Sequence, residues 1–338
     1  MAKILLSREA YFHNLDIITQ KVGEVSKIAV VLKDNAYGHG LCEMAKLAQE
    51  YGVKDAVVHN IGEAEQIKDH FERILILGGH SYKVDAKYHY GINGLSQIPL
   101  MPKGLQVELK VDTGMHRNGV SMDEVEEAVT TLIEQGLVLK GVMTHNRSAD
   151  TLSSEWFWQR ANFKTVKQSV LELQNNLSFE TPRFHSANSA ATFRFQDFDE
   201  DLVRVGIAAY GCLEMDRTLQ QPTLKPVLSL SAQKITTRLL AKGEYVGYNA
   251  TFRAEKSMQV STYDLGYADG LLRSASNHYV SPEGEQLLGR VSMDNCSFTG
   301  AREELLIFDN VNTYSKAART IGYEVLTGLH PEIKREVV

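Results

Sequence analysis

The chain is poor in the residues that staple or anchor proteins. Among 338 residues there are 3 cysteines, 7 prolines and 2 tryptophans. Cys42, Cys212 and Cys296 are far apart and odd in number, which argues against a disulfide framework and for a reducing compartment. No apolar run is long enough to span a bilayer, and MAKILLSREAYF at the N-terminus turns charged after a short apolar piece. A cytoplasmic protein with no membrane partner is therefore expected. Basic charge is also scarce: 36 Lys and Arg against 42 Asp and Glu leave a net charge of -6, with no basic cluster, so nucleic acid is a poor partner. CxxC, HExxH and EF-hand spacings are missing and the 11 histidines scatter, so no metal site is expected.

What is present is a serial arrangement of short apolar runs. They fall at 28–32, 56–58, 74–77, near 91–92, and at 105–111, 139–144, 183–185 and 203–209. Helical patterns separate several of them. Leu41, Met44, Leu47, Ala48 and Tyr51 share one helix face, as do Val125, Ala128, Val129, Leu132 and Ile133, and a capping box at Ser121–Glu124 predicts the start of the second helix. About eight strand-helix units over roughly 200 residues is the pattern of a TIM barrel. A doubly wound sheet is the structural rival, and it loses because no GxGxxG follows the first run. Beyond about residue 221 the texture becomes alternating, as in Val227-Leu-Ser-Leu-Ser, which reads as short antiparallel strands. The expected fold is α/β: a TIM (β/α)8 barrel over 8–221, then a smaller, mainly β domain over 222–338 that the N-terminal strand, within 1–7, joins. With 43% hydrophobic residues there is core enough for both.

The chemistry starts at KDNAYGHG, residues 33–40, directly after the buried-strand run Ile28–Leu32. Lys33 then stands at the carboxyl end of a parallel strand, where such folds place their reactive groups. Desolvation there favours the neutral amine that a Schiff base requires. Taken alone, Lys33 reads more simply as a solvated strand-end lysine. KDNAYGHG, however, resembles the pyridoxal-phosphate lysine motif of bacterial alanine racemases, with Asp34 where a small residue is usual. The resemblance implies that Lys33 carries the cofactor and that Tyr37 holds its phosphate, while Asp34 is expected to point away from it.

The resemblance extends along the chain in family order. ELKVDTGMHRNGV implies Arg117 on the substrate carboxylate, a task suited to a planar, permanently charged fork. It also implies Lys110 as a lysine carbamylated in some members, an ordinary strand lysine being the equal alternative. Thr144-His145 implies an imidazole against the cofactor ring. Asn188, Ser189, Gly206 and Ile207 close the last two strands, where barrels build phosphate sites from loop amides, and Tyr323 of YEVL is implied at the same phosphate. Arg204 is implied at the pyridine nitrogen; seen alone it could equally pair with Asp199 or Asp201. Tyr267 of GYADG is implied as a catalytic base opposite Lys33. Met293 is implied to touch substrate through its amide, with Asp294 nearby and Arg290 and Tyr279 at the entrance. Because Tyr267 and Met293 lie in the β-domain, the resemblance implies a homodimer whose active sites are shared between chains.

The expected activity is pyridoxal 5'-phosphate-dependent interconversion of L- and D-alanine by two bases, supplying D-alanine for peptidoglycan. The alternatives are a racemase of serine, lysine or a broad set of amino acids, a barrel decarboxylase, or a non-catalytic carrier of the cofactor. An arginine at the ring nitrogen argues against the decarboxylase, because a guanidinium keeps its protons and leaves that nitrogen unprotonated.

Overall fold

The computed structural model describes residues 2–338. Its first strand, β1 (Lys3–Leu6), leads into the helix Arg8–Val22, capped by the Ser7 hydroxyl. Eight parallel strands follow: β2 (Ile28–Val31), β3 (Asp55–Val58), β4 (Arg73–Ile76), β5 (Tyr88–Ile92), β6 (Gln106–Lys110), β7 (Val138–Met143), β8 (Arg183–His185) and β9 (Val203–Val205). They neighbour one another in sequence order from β2 to β8, and β9 pairs with β2. Between β8 and β9 the wall is closed by backbone bonds, Arg204 N–H to Ala187 O at 2.9 Å and Asp201 N–H to Phe184 O at 3.1 Å. This is the expected barrel. Every residue of β2 and β3 is buried, as strands covered on both faces require.

Two local expectations change. The run at 203–209 leaves the sheet after Val205, because the amides of Gly206 and Ala208 turn to the Ser189 hydroxyl instead of a neighbouring strand. The helix placed at Ser121 begins at Val125. The Glu124 carboxylate takes both the Ser121 N–H and its hydroxyl at 2.7 Å, which closes a turn ahead of the helix rather than its first turn.

The barrel lumen is charged. Arg73 grips Asp55 with two bonds of 2.8 and 2.6 Å; Arg183 spans Asp55 Oδ1 at 2.8 Å and Glu108 Oε1 at 3.0 Å. Glu108 also meets His89 Nδ1 at 2.9 Å and His185 Nε2 at 2.7 Å. Because β3, β6 and β8 are not all sheet neighbours, these contacts cross the interior. Burial alone would push the Glu108 carboxyl up, but His185, His89 and Arg183 more than offset it and hold it well below the usual carboxylate range.

The second unit is built on β10 (Leu228–Leu240). The short strands β11 (Tyr245–Val246) and β12 (Phe252–Arg253) pair with each other. Then come β13 (Met258–Tyr263), β14 (Leu287–Leu288), β15 (Cys296–Thr299), β16 (Glu304–Phe308) and β17 (Lys334–Val337). The sheet runs β14-β15-β13-β10-β1-β17, with β16 also on β10. β1 therefore belongs to this sheet, antiparallel to β10 and parallel to β17. Two helices between β16 and β17, Val311–Ala318 and Gly322–Thr327, bring the chain back to the barrel mouth.

Replacing Arg183 by methionine removes the bridge between two buried carboxylates and is expected to cost about 3–5 kcal/mol in urea unfolding. A loss below about 1 kcal/mol would show that Arg73 and the two histidines suffice to hold the carboxylates without it.

Candidate active site

Lys33 opens a turn of the opposite hand to a normal helix. Asp34, Asn35, Ala36 and Tyr37 have φ of 54, 54, 51 and 52°, four consecutive left-handed residues without a glycine. Each such residue costs roughly 1–2 kcal/mol. The turn is held from several sides. The Glu63 carboxylate accepts the Asp34 N–H at 2.8 Å and the His59 N–H at 2.7 Å, and the Asn35 side-chain oxygen accepts the Leu41 N–H at 2.8 Å. The buried His39 donates to Tyr37 O at 3.0 Å and stacks on Tyr210, and Arg335 donates to Gly38 O at 2.9 Å. At Gly38, with φ of 75°, a Cβ would lie 2.0 Å from Leu326 O, so only glycine fits. The result brings the Lys33 amine to 5.9 Å from the Tyr37 ring centre.

Asp34 does not point away. Its carboxylate is 3.2 Å from Lys33 Nζ and lines the same cavity. The left-handed φ turns its side chain inward, where an extended residue would have faced out.

That cavity, of about 770 Å³, lies at the carboxyl ends of the barrel strands. It is lined by Lys33, Tyr37, Lys110, Arg117, His145, Asn188, Ser189, Arg204, Gly206, Ile207 and Tyr323 together. At one side Ser189 Oγ accepts the Gly206 and Ala208 amides at 3.2 Å, while Asn188 caps the short helix Ser189–Thr192. A Cβ at Gly206 would come within 2.8 Å of the Tyr37 hydroxyl. Phenol, serine hydroxyl and backbone thus converge where a side chain would intrude.

Arg204 is buried in the barrel and does not pair with Asp199 or Asp201; Asp199 faces Arg160, and Asp201 accepts the Phe184 N–H. Its guanidinium donates to Thr144 O at 2.6 Å, to His185 O at 3.1 Å and to His185 Nδ1. Since a guanidinium only donates, His185 Nδ1 must be bare and Nε2 must carry the proton given to Glu108. The lumen network therefore fixes one tautomer behind Arg204. Burial and the neighbouring Arg204, Arg117, Lys110 and Lys33 lower His145 to about 3, so its ring is neutral. Burial, Arg117 and Arg204 lower Lys110 to about 8.

Among the described residues, none between 215 and 311 lines this cavity. Tyr267, Met293 and Asp294 meet elsewhere, on the β-domain: the Tyr267 N–H bonds Ser292 O and the Ala268 N–H bonds Met293 O, both at 3.0 Å. Tyr267 and Met293 are 44% and 55% exposed. Tyr279 is no entrance residue; it is buried with its hydroxyl on Ile307 O. The same face carries Tyr248, which no motif above singles out. It is 64% exposed in the β11–β12 connection, next to left-handed Asn249 and Ala250, with Gly247 against the backbone of Arg290. Its signal in the sequence is a tyrosine in the polar hairpin turn Gly247-Tyr-Asn-Ala.

Two family models match the chain, "Alanine racemase, N-terminal domain" over residues 6–214 and "Alanine racemase, C-terminal domain" over 227–337. The chain belongs to the alanine racemase family. It is 45% identical over 335 residues to the alanine racemase of a Nitratiruptor species, covering 99% of each chain. It is 43% identical over 340 residues to that of Campylobacter curvus, covering 100% of each. Among solved structures, alanine racemase from Clostridium difficile 630 matches with a TM-score of 0.89 at 25% identity, over 100% of this chain and 95% of that one. The Bacillus anthracis alanine racemase with bound L-Ala-P matches with a TM-score of 0.88 at 26% identity, over 100% and 95%.

Members of the alanine racemase family depend on pyridoxal phosphate, and the cavity fits that group. It offers an amine at Lys33, a space free of any Cβ between Tyr37, Ser189 and Gly206 that would admit a phosphate, and a neutral ring at His145. The excess of Lys33, Lys110, Arg117 and Arg204 suits an anionic guest.

The turn itself has a pH signature. His39 Nδ1 donates to a carbonyl and Nε2 has no partner among the described residues; burial lowers the ring to about 4 from 6.5. The unfolded chain therefore takes up a proton that the folded chain refuses, and stability falls as pH drops from about 6.5 towards 4, by about 1.4 kcal/mol per unit. Urea unfolding of the cofactor-free protein between pH 7 and 5 is expected to show this, and His39→Phe to flatten the slope by one proton. An unchanged slope in the variant would mean that His39 protonates in place.

Proposed function

We propose that the chain interconverts L- and D-alanine with pyridoxal 5'-phosphate held at Lys33, as a cytoplasmic homodimer supplying D-alanine for peptidoglycan. The barrel, 8–221, binds the cofactor; of the β-domain, 222–338 with the strand in 1–7, Tyr323 lines the site of its own chain and the Tyr267–Met293 face serves the site of the other. When bound, the cofactor supplies an electron sink for the bond to the α-hydrogen. The observation that carries the reading is Arg204, whose donors are tied to Thr144 and His185. An arginine keeps its protons at any working pH, so Arg204 gives none to a ring nitrogen facing it, which favours return of the α-proton over loss of carboxylate.

The other residues divide the remaining tasks. Tyr37, Tyr323, Asn188, Ser189, Gly206 and Ile207 hold the phosphate, and His145 packs on the ring. Arg117 orients the substrate carboxylate. Lys33 moves the proton on one face of the α-carbon. The opposite face needs a second base, because one group rarely reaches both.

That base is a phenol from the partner's β-domain, with the Met293 amide and Asp294 beside it. Tyr267 is the candidate from the GYADG resemblance. What supports it is its place: its backbone is hydrogen-bonded beside Met293, and its side chain is 44% exposed on the face that a partner chain would cover. Tyr248, exposed in the β11–β12 connection, then forms part of the wall.

Lys33→Ala is expected to abolish both the yellow colour and turnover. In deuterated water, Tyr267→Phe should slow α-exchange from L-alanine by about 10²–10⁴, and from D-alanine far less. Tyr248→Phe should slow both directions by a similar, smaller factor. The reverse pattern would move the base to Tyr248, and equal losses in both variants and both directions would remove the assignment of bases to faces. Carbon dioxide release in place of deuterium uptake would mark a decarboxylase, and relative rates across serine, lysine and alanine would rank the substrates.

With its amine lowered to about 8, Lys110 has neutral amine available near pH 7, and can take up carbon dioxide with loss of one proton. The carbamate would accept from Arg117 and orient it. A 13C carbamate signal after equilibration with labelled bicarbonate, absent in Lys110→Ala, is the expected result; no signal in the parent protein would leave Lys110 an ammonium.

A further inference from the structure

The last strand of the chain sends one side chain back to the turn that presents Lys33 and Tyr37. β17 lies parallel to β1, with Arg335 opposite Ile4. From there the guanidinium spans four backbone carbonyls. Nη1 donates to Pro331 O at 2.8 Å and to Ile333 O at 2.6 Å, and Nη2 to His330 O at 3.3 Å. These three tie the tail to itself. The fourth, Nε to Gly38 O at 2.9 Å, joins residues 297 positions apart. The Arg335 donors all serve neutral carbonyls, with the Glu43 carboxylate near enough to favour its charge. Only a planar fork with several N–H groups can join the tail and Gly38 at once; an ammonium on a flexible stem cannot.

Gly38 is the point where the left-handed run ends, one residue after Tyr37. Its other side is pressed against Leu326 O, so the turn is gripped between the helix Gly322–Thr327 and the tail. Release of the Gly38 carbonyl leaves four strained residues free to relax at that end, and the nearest of them is Tyr37. At the opposite end Glu63 still holds the Asp34 amide, next to Lys33.

We infer that Arg335 is a positioning residue for the cofactor phosphate: through Gly38 it fixes the Tyr37 hydroxyl against Ser189 and Gly206. This rests on the reading that pyridoxal phosphate sits at Lys33 with its phosphate at Tyr37. The two ends of the turn then separate two properties of the site. Schiff-base formation belongs to the Lys33 end, and phosphate affinity to the Tyr37 end.

The test titrates cofactor-free full-length protein with pyridoxal phosphate and, separately, with pyridoxal, which lacks the phosphate, following the absorbance of the Schiff base. The parent protein is expected to bind pyridoxal phosphate more tightly. Arg335→Ala is expected to weaken pyridoxal phosphate by about tenfold or more and pyridoxal by less than about threefold. Arg335→Lys, which retains one donor for Gly38, should fall between parent and alanine variant, and it carries the same comparison if the alanine variant does not fold. Equal weakening of both ligands would reduce Arg335 to a fold-stabilising residue, and unchanged pyridoxal phosphate affinity would remove the coupling; either overturns the inference. Equal affinity of the parent protein for the two ligands would instead refute the phosphate site itself, and the role of Arg335 with it.

Discussion

The site depends on a backbone that turns the wrong way after β2. Four left-handed residues at roughly 1–2 kcal/mol each add up to a sum comparable with the net stability of an ordinary domain. Such a turn persists only where its surroundings over-determine it. Glu63 from one side, His39 and Tyr210 from below, and Leu326 and Arg335 from the far end supply those constraints. What the protein gains is direction: Lys33, Asp34 and Tyr37, from a single turn, all face one cavity.

The second constraint is electrostatic. A barrel lumen is usually filled with branched apolar side chains. Here it carries an ordered series of carboxylates and cations from Arg73 to Arg204. Because Arg204 donates to His185 Nδ1 and Glu108 faces Nε2, the series leaves His185 one tautomer. The cavity mouth then holds cations in excess, with burial and mutual repulsion keeping His145 neutral and Lys110 easily deprotonated.

Much of this was legible in the sequence. The barrel strands were, because strands covered on both faces leave short apolar runs, and each of β2 to β9 overlaps one of the runs noted in the sequence. The barrel-side residues of the cavity were legible through the racemase resemblance, with Lys33, Lys110 and His145 at or just past the ends of their strands. Other features left little trace. The sign of φ at Asp34–Tyr37 is unmarked by glycine, so the inward Asp34 could not be read. Glu63 reaches the turn from 29 positions away. Tyr248 lies in a hairpin connection with no apolar pattern. The lumen charges did leave a sign, charged residues inside apolar strands at Glu108 and Arg183, but their partners are set by barrel closure.

A single chain brings together every barrel residue of the site and leaves the phenols, Met293 and Asp294 on another face. The account therefore stands on two chains completing each other's sites. The most direct measurement mixes two inactive variants, one lacking Lys33 and one lacking the β-domain phenol, under conditions where dimers exchange. Random pairing puts both defects in the same site of a mixed dimer and leaves its other site intact, so about a quarter of the parent activity is expected to return. A mixture as inactive as its components would show that each chain works alone, and would contradict the shared site.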